Sequence, residues 1–178
     1  EEKRRTSAQK ALEIWAPLAT IFGLYDFRNE LEDRAFSILD PEGYNQIKEM
    51  VEKELKELTP LVQKAKKDIE DLLKDHGVNV TITSRVKHLY GVMRKMPRYQ
   101  EMGGHLFDLV GIRIITEEIE ECYLVLDLLR KHFGSELSLD DYIAHPKPNG
   151  YQSIHAVFKI DSHQVEAQIR TKSMHEQA

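Results

Sequence analysis

The apolar residues of this chain change their period once, at Val78, and that change narrows the folds open to it more than any other feature. Before Val78 the spacing is helical. Ala11, Leu12, Trp15, Leu18 and Ala19 share one face over residues 7–22, with Gly23 as the stop and Pro17 marking a kink or an earlier end. A second helix is predicted over Arg28–Leu39. Asp40-Pro41 then supplies an N-cap and a first-turn proline for a long charged helix. Thr59-Pro60 repeats that signal, so the stretch to His76 is two helices or one bent helix, closed by Gly77. Its alternating Lys and Glu over 48–75 read as a solvated helical surface.

After Val78 the pattern turns to strands. Val78, Val80 and Ile82 alternate with polar residues, and Ser84 then caps a helix to about Met96, stopped by Pro97. A loop bearing Gly103-Gly104 leads to the β-branched run Leu109–Ile115, predicted as a central strand buried on both faces. Thr116 caps a helix over 117–133 that Gly134 ends, and 135–150 is a loop. Ser153–Ile160 and Gln164–Thr171 form an antiparallel hairpin, and 172–178 opens a further helix. Helices followed by β-α-β-α-β-β-α predict an α+β fold: an N-terminal helical segment over 1–76, then a mixed β-sheet flanked by helices over 77–178.

Composition excludes several classes. With 41% hydrophobic and 31% charged residues, the 178-residue chain can bury a core, so uniform disorder is out. No run approaches the roughly 18–20 apolar residues that cross a bilayer, so no membrane partner is expected. A lone Cys122 makes no internal disulfide and favours a reducing, cytoplasmic setting. The net charge of −5 argues against a nucleic-acid coat. That average conceals an island. From His76 to Gln100 there is no acid, while Arg85, Lys87, Arg94, Lys95 and Arg98 give +5, leaving −10 for the rest. A cationic island in an acidic chain suits a local anion site, or it is a solvated helix face. The start without Met and the end at Met174–Ala178, inside an apparent element, suggest a piece of a longer protein.

Four constellations carry candidate chemistry. On the predicted helix 84–96, Lys87, Gly91 and Arg94 or Lys95 share a face and Arg85 enters the first turn, so a helix N-terminus reinforced by cations would clamp a triphosphate. Asp108, at the mouth of the apolar strand, either holds Mg²⁺ or caps a turn. Alternation puts Glu166, Gln168 and Arg170 on one face of the last strand, which suits a wet cleft or the outer surface of an edge hairpin; His155 joins that face or is a structural residue. His145-Pro146-Lys147-Pro148-Asn149-Gly150-Tyr151 forms a rigid arm offering an ammonium and an aromatic ring. It suits phosphate plus a stacked base, or it is a proline-rich turn with a core tyrosine. The chain lacks a His-Asp dyad, His-Glu-x-x-His, Gly-x-Ser-x-Gly and a Walker P-loop, which removes several hydrolase and nucleotidase classes.

Thr83–His88, Phe107–Arg113, Asp141–His155 and Val165–Thr171, in that order, resemble the synthetase domain of RelA/SpoT-type alarmone enzymes across about residues 80–178. Leu12–Ala19 and Glu30–Asp33 resemble the end of the helical hydrolase domain that precedes it in long members, without that domain's His-Asp motif, so hydrolysis is not expected here. The resemblance implies a nucleotidyltransferase-like fold that transfers pyrophosphate from ATP to the 3′-hydroxyl of GTP or GDP, giving (p)ppGpp and AMP. It implies that Arg85, Lys87 and Lys95 hold ATP, assisted by Arg113. Asp108 would bind Mg²⁺ (or Mn²⁺), with Glu166 as second ligand or as base. Tyr151 would stack on guanine, while Lys147, Asn149, His155 and Gln168 line the acceptor site. Ribosome contact would fall to domains outside this chain. Gly91 stands where most members have Ser, and Ser138-Leu139-Asp140-Asp141 resembles the acidic form of the specificity motif without its leading Glu. A guanine-nucleotide-binding regulatory domain with little or no turnover is the alternative, and a single-stranded RNA module a more distant one.

Overall fold

The computed structural model of the chain describes residues 1–101, 106, 109–161 and 163–177. It divides into two compact units, Glu1–Leu55 with Lys87–Leu109, and Lys56–Val86 with Val110–Ala178.

The first unit is helical. α1 (Glu2–Lys10) runs through one π-helical turn (Ala11–Trp15) into α2 (Ala16–Ile21). Pro17, in the first turn of α2, cannot donate to the preceding turn, and the backbone widens just before it: the Ala16 amide donates to the Ala11 carbonyl. Gly23 at φ 70° ends α2, where the Leu24 amide reaches back to the Ala19 carbonyl at 2.8 Å. α3 (Tyr25–Leu39) starts three residues earlier than the sequence suggests and packs on α1 and α2. Its Phe36, 3% exposed, meets Tyr44 and Tyr90 edge-to-face. The Asp40 carboxylate accepts the Gly43 amide at 2.9 Å, the N-cap expected ahead of Pro41.

α4 (Pro41–Asp75) is a single helix that retains Pro60 in its interior, and the boundary between the units falls within it. Its buried residues, Ile47, Val51, Leu58, Val62, Ala65, Ile69 and Leu73, recur every three or four positions, with one wider step. Burial along that stripe outweighs the one backbone bond Pro60 cannot make. Gly77, at φ 71°, closes it as expected, with the Val78 amide on the Leu73 carbonyl.

The second unit carries a five-stranded mixed sheet in the order β1-β2-β5-β4-β3. The strands are β1 (Thr81–Val86), β2 (Val110–Thr116), β3 (Ser138–Asp141), β4 (Ile154–Ile160) and β5 (His163–Thr171). Only β2 and β5 run parallel; the other pairs are antiparallel, including the expected β4–β5 hairpin. α6 (Ile119–Phe133) contacts β2, β4 and β5, and α7 (Lys172–Glu176) follows β5. One face of the sheet is apolar: Ile112, Ile114, Ile154, Ala156, Phe158, Val165, Ala167 and Ile169 are all at most 3% exposed. α6 covers it with Cys122, Val125, Leu126, Leu128 and Leu129, also buried.

Several expectations need correction. Ser84 does not open a helix: Ser84, Arg85 and Val86 pair with Ile112, Gly111 and Val110, so the ladder takes them into β1. The following helix, α5 (Leu89–Glu101), belongs to the first unit and continues through Pro97, its last turn anchored by the fully buried Tyr99. Glu118, not Thr116, caps α6, in a reciprocal box with Glu121. The 135–150 stretch is not all loop, because β3 pairs with β4 there. β2 is second in the sheet and β5 is central, so the last strand is no edge.

Candidate functional site

The side of the sheet away from α6 is where the polar residues gather. Register aligns Thr83 and Arg85 of β1, Gly111 and Arg113 of β2, Glu166, Gln168 and Arg170 of β5, and His155 of β4 on that face. Because β5 is central, Gln168 and Arg170 are only 4% exposed, while Glu166 is half-buried. The row is therefore neither an edge-hairpin surface nor fully wet.

A hydrogen-bonded chain crosses this face. The Tyr151 hydroxyl lies 2.8 Å from His155 Nε2, and His155 Nδ1 lies 3.4 Å from Glu166 Oε1. Gln168 Nε2 donates to Glu166 Oε2 at 2.7 Å, and Arg85 donates to Gln168 Oε1 at 3.5 Å. Burial pushes the Tyr151 phenol up, against the opposing pull of Arg170, Ser153 and Arg85, so it keeps its proton. Nδ1, on the other side of the ring, faces Glu166. Burial also pushes Glu166 up, but the His155 bond and charge, Gln168 and Arg85 outweigh it, and the carboxyl ends below its usual range. Glu166 is thus an ionised acceptor at neutral pH. Gly111 leaves the sheet bare beside it; a Cβ there would stand 3.2 Å from the Glu166 carbonyl and 3.8 Å from Oε2. Glycine at 111 keeps that space open, and the apolar run around it hid the signal in the sequence.

Sequence reasoning placed Arg170 in the polar row but gave it no role. It is a buried guanidinium in a positive field: burial, then Arg113 and Arg85, pulls its pKa down. Its Nη2 donates to His175 Nδ1 at 2.7 Å, and its Nε is buried without a hydrogen-bond partner among the described residues. Arg113 also lines a cleft of about 520 Å³ with Thr81, Thr83, Lys172 and His175. Arginines on three neighbouring strands give this face a strong attraction for an anion.

The arm before β4 is as rigid as its prolines suggest. Gly150, at φ 78°, donates to the Lys147 carbonyl at 2.8 Å, and the Lys147 amide returns to the Tyr151 carbonyl at 3.1 Å. Asn149 Oδ1 accepts the Tyr151 amide at 3.3 Å, so Asn149 builds the turn. Lys147 Nζ lies 4.2 Å from the Tyr142 ring centroid and 5.1 Å from that of Tyr151. Tyr142, Tyr151 and His155 meet edge-to-face in pairs, with centroids 5.4–6.2 Å apart. Tyr151 is half-buried, which excludes the core-tyrosine alternative. Tyr142 was missed as an aromatic partner because its neighbours, Asp140 and Asp141, drew attention to charge.

Arg85, Arg113, Lys147, Asn149, Tyr151, His155, Glu166 and Gln168 all belong to the second unit; Lys87 and Lys95 belong to the first. Asp108 lies outside the described residues. Lys87 Nζ donates to Tyr99 Oη at 3.3 Å, and Lys95 is half-buried on α5. Arg85 is on a strand, not in a helical first turn, and the amides that begin α5 are already occupied: Asp33 accepts Tyr90 N at 2.8 Å and Leu89 N at 3.2 Å. The helix-terminus clamp suggested by the sequence does not form.

Gly91 has a local reason to be glycine. A Cβ on it would lie 2.7 Å from His88 Cε1 and 3.0 Å from Nδ1, and His88 is held by a 2.7 Å contact from Nε2 to Glu32 Oε2. Gly91→Ala is therefore expected to lower the melting temperature. In a His88→Ala background the clash disappears and the same change should stabilise by about 0.5–1 kcal/mol through helix propensity. A thermal double-mutant cycle reads the reversal of sign.

One polar face of this α+β sheet thus brings together an ionised acid, an aromatic platform and the cations of three neighbouring strands. Residues 84–178 match the family model for the region found in RelA/SpoT proteins, and the chain belongs to that family. Over its whole length it is 36% identical to a GTP pyrophosphokinase of Photobacterium angustum and to one of Escherichia coli, covering 24% of each. It is 38% identical to a guanosine-3′,5′-bis(diphosphate) 3′-pyrophosphohydrolase of Aquifex aeolicus, covering 26% of it. The chain thus spans about a quarter of these relatives' length. Among solved structures, small alarmone synthetase 1 of Bacillus subtilis bound to its product pppGpp aligns with a TM-score of 0.57 at 26% identity, covering 72% of this chain and 77% of that one. The fold is that of the RelA/SpoT-like synthetases, as the resemblance implied. Among the described residues no helix is long and apolar enough to cross a membrane.

Proposed function

We propose that this chain transfers pyrophosphate from ATP to the 3′-hydroxyl of GTP or GDP, forming (p)ppGpp and AMP, in the cytoplasm. The observation that carries the reading is the chain Tyr151–His155–Glu166–Gln168–Arg85 across one sheet face, which couples an aromatic platform to an ionised acid and a cation.

In this reading guanine stacks on Tyr151 and brings the ribose toward Glu166. Glu166, ionised at neutral pH, accepts the 3′-hydroxyl proton as the oxygen attacks the β-phosphorus of ATP; the bond from that phosphorus to the α-phosphate oxygen breaks and AMP leaves. Gln168 holds the carboxylate and His155 fixes its other oxygen. Arg85 and Arg113, with Lys87 and Lys95, neutralise ATP, and Lys147, Asn149 and His155 line the acceptor site. The donor set also fits Mg²⁺ (or Mn²⁺): an ionised carboxylate beside a space that admits phosphate oxygens is the environment such a hard cation takes, and Asp108 would be the second acid. Bound there, the cation would offset charge on the phosphates.

Incubation with labelled ATP, GDP or GTP, and Mg²⁺ should yield AMP and a 3′-diphosphorylated guanosine nucleotide in equal amounts. Guanine-nucleotide binding with no product above an Asp108→Ala control would reject turnover and favour a regulatory binding domain.

A further inference from the structure

Residues outside the matched family region reach the start of α5, which carries Lys95 and directly follows the segment bearing Lys87. α3 presents Glu32 and Asp33 side by side to the 88–90 segment. Both oxygens of Asp33 are engaged, Oδ1 by Tyr90 N at 2.8 Å and Oδ2 by Leu89 N at 3.2 Å. These are amides that a helix's own hydrogen bonds leave unsatisfied. Glu32, 9% exposed, holds His88 at 2.7 Å and is itself approached by Arg28 Nε at 3.8 Å. Gly91 clears the space His88 needs. Tyr90 packs on Phe36 of α3, so the apolar side of the same turn is fixed too. Lys87 is one residue before His88, its amide bound to the Leu109 carbonyl at 2.9 Å, and Lys95 lies further along α5.

We propose that Asp33, supported by Glu32, is a positioning residue for ATP binding: by holding the first turn of α5 it sets where Lys87 and Lys95 present their ammonium groups. Two acids at a helix start, Glu32 buried and Asp33 half-buried, 56 and 57 residues away in sequence from the groups they hold, make α3 part of the synthetase's working structure. Asp33 also withdraws the α5 amides from any phosphate, so ATP at this segment is met by lysine ammonium groups whose anchor is α3. The proposal rests on the reading that this chain binds and uses ATP.

Steady-state kinetics with ATP and GDP varied separately test it, with binding of a fluorescent ATP analogue measured in parallel. Asp33→Ala should raise KM for ATP and the analogue's Kd about 5-fold, the equivalent of one lost cap, while KM for GDP stays within about twofold. Asp33→Asn, whose amide oxygen can still accept an N–H, should recover most of the loss, and Glu32→Gln should shift the same parameter less. Val62→Ala, a cavity in α4, controls for general destabilisation and should lower the melting temperature without raising KM for ATP. If Asp33→Ala fails to fold, Glu32→Gln carries the test, with a smaller rise in KM for ATP and in the analogue's Kd. An active wild type with unchanged ATP parameters in Asp33→Ala and Glu32→Gln, or with KM for ATP and KM for GDP rising together in them, overturns the positioning role alone. A wild type that neither binds the analogue nor forms AMP overturns it together with the proposed reaction.

Discussion

Replacing Glu166 by Gln is expected to cut kcat for pyrophosphate transfer about a thousandfold while changing the melting temperature little. The two side chains have the same shape, and the amide oxygen can still accept from Gln168 Nε2, which donates to Glu166 Oε2 at 2.7 Å. What disappears is the negative charge and the capacity to take a proton. The same residue sets the pH profile. Its carboxyl sits below the usual range because His155, Gln168 and Arg85 together outweigh burial, so the active, ionised form persists well into acid. As pH falls through that depressed value the base is protonated and kcat/KM for the acceptor declines. In His155→Ala the largest stabilising partner is gone while burial remains, so the acid limb should move to higher pH. A pH–rate comparison of the two proteins reads that shift directly. A Glu166→Gln enzyme retaining a tenth or more of kcat, or a His155→Ala limb at lower pH, would show that Glu166 is not the proton acceptor.

The parts of this molecule legible in its sequence are those whose cause is local. Gly77 ends α4 because glycine accepts the left-handed backbone there, and Asp40 caps it from a position directly before Pro41. The β4–β5 hairpin and the polar row of β5 followed from alternation alone. What escaped was set by distant partners. Ser84-Arg85-Val86 looks like a helix start and becomes a strand because β2 offers a ladder to it. β3, four residues of Ser-Leu-Asp-Asp, has no apolar pattern and exists because the edge of β4 opposite its hairpin partner offers it a ladder. The cap of α5 comes from Asp33, which no window around residue 89 contains. For the site, residue types and faces were readable, whereas the depth of Arg170 and the openness beside Gly111 required knowing that β5 is central and that β2 lies next to it.

Tyr151→Ala should raise KM for the guanine nucleotide about 10- to 100-fold with a smaller effect on KM for ATP, the range expected for losing one base–aromatic stack. The geometry explains why the loss should concentrate in binding. Tyr151 is held at two ends, its amide by Asn149 Oδ1 at 3.3 Å and its hydroxyl by His155 at 2.8 Å, so its ring is oriented before any ligand arrives. Tyr142 stands beside it with ring centroids 6.2 Å apart, and the Lys147 ammonium lies over both rings. A cation on an aromatic face and a stacked base compete for the same surface, so guanine must displace Lys147, which is then free to meet the nucleotide's phosphates. Tyr151→Phe keeps the stack and removes only the bond to His155; it should leave KM near the wild-type value. Lys147→Met uncovers the ring yet removes the phosphate partner, so it should weaken GTP and GDP binding while barely changing that of guanosine. Equal losses for guanosine and GDP in the Lys147 variant, or an unchanged guanine-nucleotide KM in Tyr151→Ala, would place the acceptor base elsewhere on the sheet.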